Sequence, residues 1–213
     1  MNQEIYYVKS FEEDFCTKHL INRKKATFQS VFDIINKNEI RPNTISFGRK
    51  RRLSTTILHE KYLRTYRPQG IIFKTAEKPD YIFPFDLTVL AATKDIIVHY
   101  YRIKEKLHIY YNRALLNDFE KFLFKDFDKM IKKYSSPKKA WIEVNKFRKM
   151  SGYDGLPKQK FRLFEYNEAI FHKPIKIIPV GLFGYRKEAR KIANKLNLPC
   201  FVSAKRFYES LNR

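Results

Sequence analysis

The stretch from Phe161 to Phe183 constrains the fold more than any other. Its first part, Phe161-Arg-Leu-Phe-Glu-Tyr-Asn-Glu-Ala-Ile-Phe171, is aromatic or aliphatic at nearly every other position. His172-Lys-Pro174 interrupts it, and a second apolar run follows from Ile175 to Phe183. That pattern predicts two strands joined by a short turn. Residues two apart on a strand share a face, so Arg162, Phe164, Tyr166, Glu168 and Ile170 are expected on one side, with Leu163, Glu165, Asn167, Ala169 and Phe171 on the other. Glu168 then becomes a carboxylate on a largely apolar face. It is either an edge-strand charge that turns back to solvent or a catalytic carboxylate in a cleft, because desolvating a carboxylate is costly unless something uses it.

The rest of the chain mixes strand and helix patterns. Glu4–Lys9 and Cys16–Asn22 read as short strands, and Ala26–Asn38 as an amphipathic helix with Phe28, Val31, Phe32 and Ile35 at helical spacing. Ile45-Ser-Phe47 is a brief extended piece, Ser54–Tyr66 has helical character, and Gly70–Thr75 is a strand. Asp80–Thr93 is apolar and open between strand and helix. Asp95–Tyr111 has the pattern of a hairpin, and Arg113–Tyr134 that of a long helix. Ser136-Pro137 is a cap followed by a first-turn proline, opening a helix that runs to about Met150. Tyr185–Leu196 is a basic helix, Cys200–Val202 a short strand, and Ser203 the cap of a terminal helix. The expected fold class is α+β, a single domain over residues 1–213 with a helical insertion at about 112–155.

Charge narrows the partner. Lys and Arg number 44 against 22 Asp and Glu, a formal charge of +22, while 44% hydrophobic content argues for a folded core. The basic residues are spread over several clusters, among them Arg23–Lys25, Arg49–Arg52, Lys132-Lys133 and Lys138-Lys139. With 14 Tyr and 19 Phe available to stack on bases, nucleic acid is the expected partner, ahead of an anionic membrane. Cys16 and Cys200 make neither a disulfide framework nor a zinc site. No apolar run approaches the ~18 residues needed to span a bilayer, and the acidic Met1–Asp14 segment lacks a signal-peptide core. A cytoplasmic protein with no membrane association is expected.

Tyr166-Asn-Glu168-Ala-Ile-Phe-His-Lys-Pro-Ile175 resembles the last motif of the ADP-ribosyltransferase superfamily, in which a strand carries the key glutamate and a Pro-containing turn leads on. Within that superfamily it is similar to the DNA- and RNA-modifying, DarT-like toxin branch. Gly70-Ile-Ile-Phe-Lys-Thr75 resembles the strand that packs against nicotinamide, and Ile96–Ile103 fits the strand that follows. Lys18-His19-Leu-Ile-Asn-Arg23, then Phe28–Phe32, resembles the opening motif, although Leu20-Ile21 stands where the family has Gly-Thr. Ile5-Tyr-Tyr-Val-Lys-Ser10, with Tyr7 in the histidine's place, is the alternative opening.

The resemblance implies a two-sheet core around an NAD cleft. It also implies transfer of ADP-ribose from NAD, a substrate here, to DNA or RNA with loss of nicotinamide, with no metal. Glu168 would be the catalytic carboxylate, stabilising the oxocarbenium-like ribose. His19 would bind the adenosine-side ribose or pyrophosphate, Phe73 and Tyr166 would offer aromatic surface to nicotinamide, and Thr75 would meet a ribose hydroxyl. Lys74, Arg49, Arg51 and Arg52 are candidates for the NAD phosphates. Arg49, Lys50, Arg51 and Arg52 are expected on a loop that binds nucleic acid. The toxin likeness implies an antitoxin protein, in a toxin–antitoxin or phage-defence setting. Two other readings remain. One is a nucleic-acid-binding protein without catalysis. The other is a metal-dependent nuclease using Pro79-Asp80, Asp86 and Lys94, though the last two lie farther apart than such sites need. The sequence carries no Gly-rich phosphate loop, nucleophile elbow or Cys/His metal spacing.

Overall fold

In the computed structural model, residues 4–11, 31–42, 44–45, 51–86, 89, 120–150, 154–184 and 187–211 are described. The elements in chain order are β1 (Tyr7–Ser10), α1 (Val31–Lys37), β2 (Glu39–Ile40), β3 (Thr44–Ile45), β4 (Arg51–Ile57), β5 (Gly70–Lys74) and β6 (Tyr81–Phe83). A 3-10 turn at Glu120–Phe122, α2 (Phe127–Lys133), α3 (Pro137–Met150) and a second 3-10 helix at Lys158–Phe164 come next. The chain continues with β7 (Glu168–Phe171), β8 (Ile175–Lys176), β9 (Ile178–Phe183), α4 (Lys187–Lys195), β10 (Cys200–Phe201) and α5 (Ala204–Ser210). The chain is therefore mixed α+β, with a large mixed sheet and several helices. It divides into two compact units, Met1–Asp80 with Ala169–Arg213, and Tyr81–Glu168. The insertion expected at about 112–155 falls within the second. Among the described residues no helix is long and apolar enough to cross a membrane.

The first unit is built on a sheet of order β10-β9-β5-β1-β4-β7, with β3 added to β4 and a separate β2–β8 pair. All its pairings are antiparallel except β9 with β10. A parallel pair needs a crossover connection, and α4 supplies it. Gly70 stands where β5 runs closest to its neighbours. A Cβ there would lie 2.3 Å from the Lys9 carbonyl oxygen and 2.7 Å from the Phe183 ring, so only glycine fits. One face of the sheet presents Val8, Ile72 and Phe183, covered by Ala204, Phe207 and Tyr208 of α5. Ser203 starts that helix as expected, its side chain accepting from the Arg206 N–H. On the other face Tyr7 stacks on Phe73 at 5.7 Å and meets Phe171 edge-on at the same distance.

The second unit packs aromatic side chains among short helices. Phe85 contacts both Phe122 and Phe164, and Trp141 of α3 lies edge-on to Phe161 and Phe164. Ser136 caps α3, accepting from the Lys139 N–H at 3.3 Å, and Pro137 takes the first turn, as the sequence predicts.

Three expectations are corrected. Phe161–Phe171 is not one strand, because Pro157 opens a 3-10 helix that runs to Phe164 and only Glu168–Phe171 is extended. The 3-10 turn puts Phe161 and Phe164 on one side, where both reach Trp141, and this aromatic packing outweighs the strand pattern. The two strands expected around the His172-Lys-Pro174 turn are present, β7 pairing with β4 and β9 with β5. Ser54–Tyr66 is not helical. Thr55, Thr56 and Ile57, all β-branched, complete β4, and a tight turn from His59 to Tyr62 follows. In the described part of the helix expected over Arg113–Tyr134, from Glu120 on, the helix is broken where Asp126 caps α2, accepting from the Lys129 N–H at 2.9 Å, while Phe124 bridges to Ile82 instead. The strands expected at Cys16–Asn22 and in the Asp95–Tyr111 hairpin, and the start of the Ala26–Asn38 helix, lie outside the described residues.

Candidate functional site

Glu168 opens β7, a strand whose four residues are all buried. The carboxylate residue itself is 4% exposed, and Asn167 before it is fully buried. This placement removes the solvated edge-strand reading of Glu168. Several bonds fix the strand. The Thr55 hydroxyl donates to the Ala169 carbonyl at 3.1 Å, and the register sets Thr55 opposite Ala169 and Leu53 opposite Phe171. Beyond its far end the Asp80 carboxylate accepts from the His172 backbone N–H at 2.8 Å and lies 3.3 Å from His172 Nδ1. The Asp80 N–H in turn donates to the Ile170 carbonyl at 2.8 Å. Asp80, which the nuclease reading would give to a metal, thus pins the end of β7.

In the second unit the Tyr166 hydroxyl donates to Asp86 Oδ2, and both residues are buried. The Asp86 backbone N–H donates to the Leu163 carbonyl at 2.8 Å, so Asp86 fastens both the end of the 3-10 helix and the segment that leads to β7. Asp86, Tyr166, Asn167 and Glu168 are four polar side chains buried in one unit, where burial of a polar group demands partners. In such surroundings a carboxylate's field is screened far less than in water. A group that keeps its charge there can stabilise a cation developing on a bound sugar.

The other expected site residues are placed differently. Phe73 is completely buried beneath Tyr7. Along β7 the side chains alternate, so Glu168 points to the opposite side of its strand from Phe171, and Phe171 is the β7 side chain that meets Tyr7. The Thr75 hydroxyl donates to the Lys176 carbonyl at 2.6 Å and accepts from the Glu77 N–H at 3.1 Å. Lys74 is ion-paired with Glu4 at 3.1 Å. The hydrogen bond from Tyr6 and the nearby Lys74 hold Glu4 below the usual carboxylate range. Tyr7, the alternative opening residue, is buried, which pushes its phenol up to about 12. Arg51 and Arg52 belong to β4, paired with Ile45 and Thr44, and not to a loop. His19, Arg49 and Lys50 lie outside the described residues. Among the described residues no group of three or more His, Cys, Asp or Glu side chains is placed to hold a metal ion.

No protein-family model, curated protein or solved structure matches the chain. The site therefore rests on its own geometry. Asp86, which the sequence offered only to the nuclease reading, bonds instead to Tyr166. The signal was a lone carboxylate closing the apolar run Tyr81-Ile-Phe-Pro-Phe85. Tyr166→Phe is expected to destabilise the protein by about 1–3 kcal/mol, the usual cost of leaving a buried hydrogen-bonding group unsatisfied. Denaturant unfolding checks this. An unchanged midpoint together with weaker NAD binding would return Tyr166 to the cofactor.

Proposed function

We propose that the chain is a toxin-type mono-ADP-ribosyltransferase that moves ADP-ribose from NAD to a nucleic acid. The observation that carries the reading is a carboxylate, Glu168, retained with only 4% exposure at the start of a strand held by Thr55 and Asp80, where weak screening would strengthen its field on a developing cation. Two further features support it. The Gly70–Lys74 segment is a strand, as the resemblance requires, and β5 and β7 belong to one sheet, with β1 and β4 between them. The excess positive charge suits a polyanionic acceptor.

In the reaction the bond between the ribose C1′ and the nicotinamide nitrogen breaks, and neutral nicotinamide leaves with the bonding electron pair. Positive charge grows on the ribose, and the Glu168 carboxylate stabilises it. A nitrogen or oxygen of the nucleic acid bonds to C1′ and gives up its proton to solvent. The superfamily's NAD cleft and an antitoxin or phage-defence partner belong to this same proposal.

Incubation with NAD labelled in its adenosine half, beside separate DNA, RNA and protein pools, tests it. Label is expected in DNA or RNA, with matching nicotinamide release. Label in protein alone overturns the acceptor class. Label in none of the pools, with metal-dependent nicking, gives the chain to the nucleases, and binding with neither makes it a non-catalytic binder.

A further inference from the structure

The solvent side of α3 carries charge of one sign only. At 3.6 residues per turn, Lys138, Lys139, Ile142, Lys146, Lys149 and Met150 fall within an arc of about 120°. All six are exposed, Ile142 at 54% and Met150 at 78%. The single carboxylate of the helix, Glu143, lies just outside that arc and is drawn inward, accepting from the Tyr134 hydroxyl at 2.8 Å. The opposite side is spent on the core, with Ala140 and Val144 buried and Trp141 against Phe161 and Phe164. Exposed cations continue on the neighbouring segments, with Lys129, Lys132 and Lys133 of α2 beside the one exposed Asp128 of that helix, and Lys158 and Arg162 of the second 3-10 helix.

Like charges on successive turns of one helix face repel, and that face costs helix stability unless an anion offsets it. The lysines extend from Lys138 to Lys149, about 16 Å of helix. That length matches roughly five phosphate steps of one duplex strand. Two exposed apolar side chains are too few to anchor a helix in a bilayer, which needs a continuous apolar face. In α3 that face is already buried in the protein.

We infer that the solvent face of α3 is the track on which the phosphodiester backbone of the nucleic acid lies. Lys138, Lys139, Lys146 and Lys149 neutralise phosphates, and Ile142 and Met150 pack on sugars or bases between them. The inference rests on the nucleic-acid half of the reading above and is independent of transferase chemistry, so binding is measured without NAD.

The test compares the wild-type chain with two variants of equal charge change. One carries Lys→Gln at positions 138, 139, 146 and 149. The other carries Gln in place of Lys187, Arg190, Lys191 and Lys195 on α4. Glutamine keeps helix propensity close to that of lysine, and circular dichroism confirms the fold. Affinity for a mixed-sequence DNA duplex and for a mixed-sequence single-stranded RNA is followed against salt. The α3 variant is expected to lower the log–log slope by up to about 3.6 on the duplex or about 2.8 on the single strand, and by at least about 1 on whichever polymer is bound. The polymer on which the slope falls identifies the ligand. An equal fall in the α4 variant overturns the inference, because binding is then a matter of net charge. A slope unchanged in the α3 variant also overturns it, as does loss of binding only to phosphatidylserine vesicles. If the wild type binds neither polymer, the inference falls with the nucleic-acid half of the proposed function. Binding that persists while no label is transferred overturns only the transferase half.

Discussion

Glu168→Gln is expected to lower the rate of nicotinamide release by about 10²–10³-fold, or about 3–4 kcal/mol of barrier. The amide keeps the volume and shape of the carboxylate and removes its charge, so the loss should fall on kcat, with NAD still bound. NAD should continue to raise the melting temperature of this variant, because a ligand that binds only the folded state stabilises it. Glu165 is the control. It ends the 3-10 helix, its N–H donating to the Arg162 carbonyl at 3.3 Å, and it is half-buried, whereas Glu168 is buried. Glu165→Gln should therefore change the rate by less than about threefold, in keeping with a surface substitution away from the chemistry. Equal losses for the two variants would sink the assignment of Glu168, and loss of folding in Glu168→Gln would make it a structural carboxylate.

What the sequence made legible follows from which forces are local. Ser136-Pro137 and Ser203 were readable because a cap is decided by a hydroxyl and an N–H three residues away. Gly70–Lys74 was readable because Gly70–Phe73 is an unbroken apolar run, as the part of a strand buried on both faces must be. The failures share a different cause. Phe161 and Leu163 on one side, with Phe164 and Tyr166 on the other, would suit a strand, yet Phe161 and Phe164 also stand three apart. Nothing local says that Trp141, twenty residues earlier in the chain, waits on one side of them. The partner strands of β7 and β9 were equally hidden, because β4 and β5 lie far away in sequence and a short connection suggests a hairpin by default. In the candidate site Glu168 stood out as a charge in apolar company. Asp86 stood out only as a nuclease candidate, because its actual partner is the Tyr166 hydroxyl eighty residues later.

Phe73→Ala gives the second large effect, and it separates what sequence resemblance implies from where the side chain lies. As aromatic surface for nicotinamide, Phe73 would have to reach the ligand. In the structure it is 0% exposed, covered by Tyr7 at 5.7 Å, between β1 and β9. Truncation to alanine removes buried apolar surface and leaves a cavity that paired strands on both sides cannot close. The expected cost is about 3–5 kcal/mol, with the Tyr7 ring contact contributing about 0.5–1.5 kcal/mol of it. For a chain of this length each kcal/mol moves the melting temperature by about 2–4 °C, so a fall of roughly 6–20 °C is expected. Phe73→Leu, which keeps much of the volume, should fall less and retain its affinity for NAD. A melting temperature unchanged in Phe73→Ala, with a raised KM for NAD, would place the ring on the cofactor and remove it from the core. The expected result keeps Phe73 in the core and takes it out of the proposed nicotinamide site.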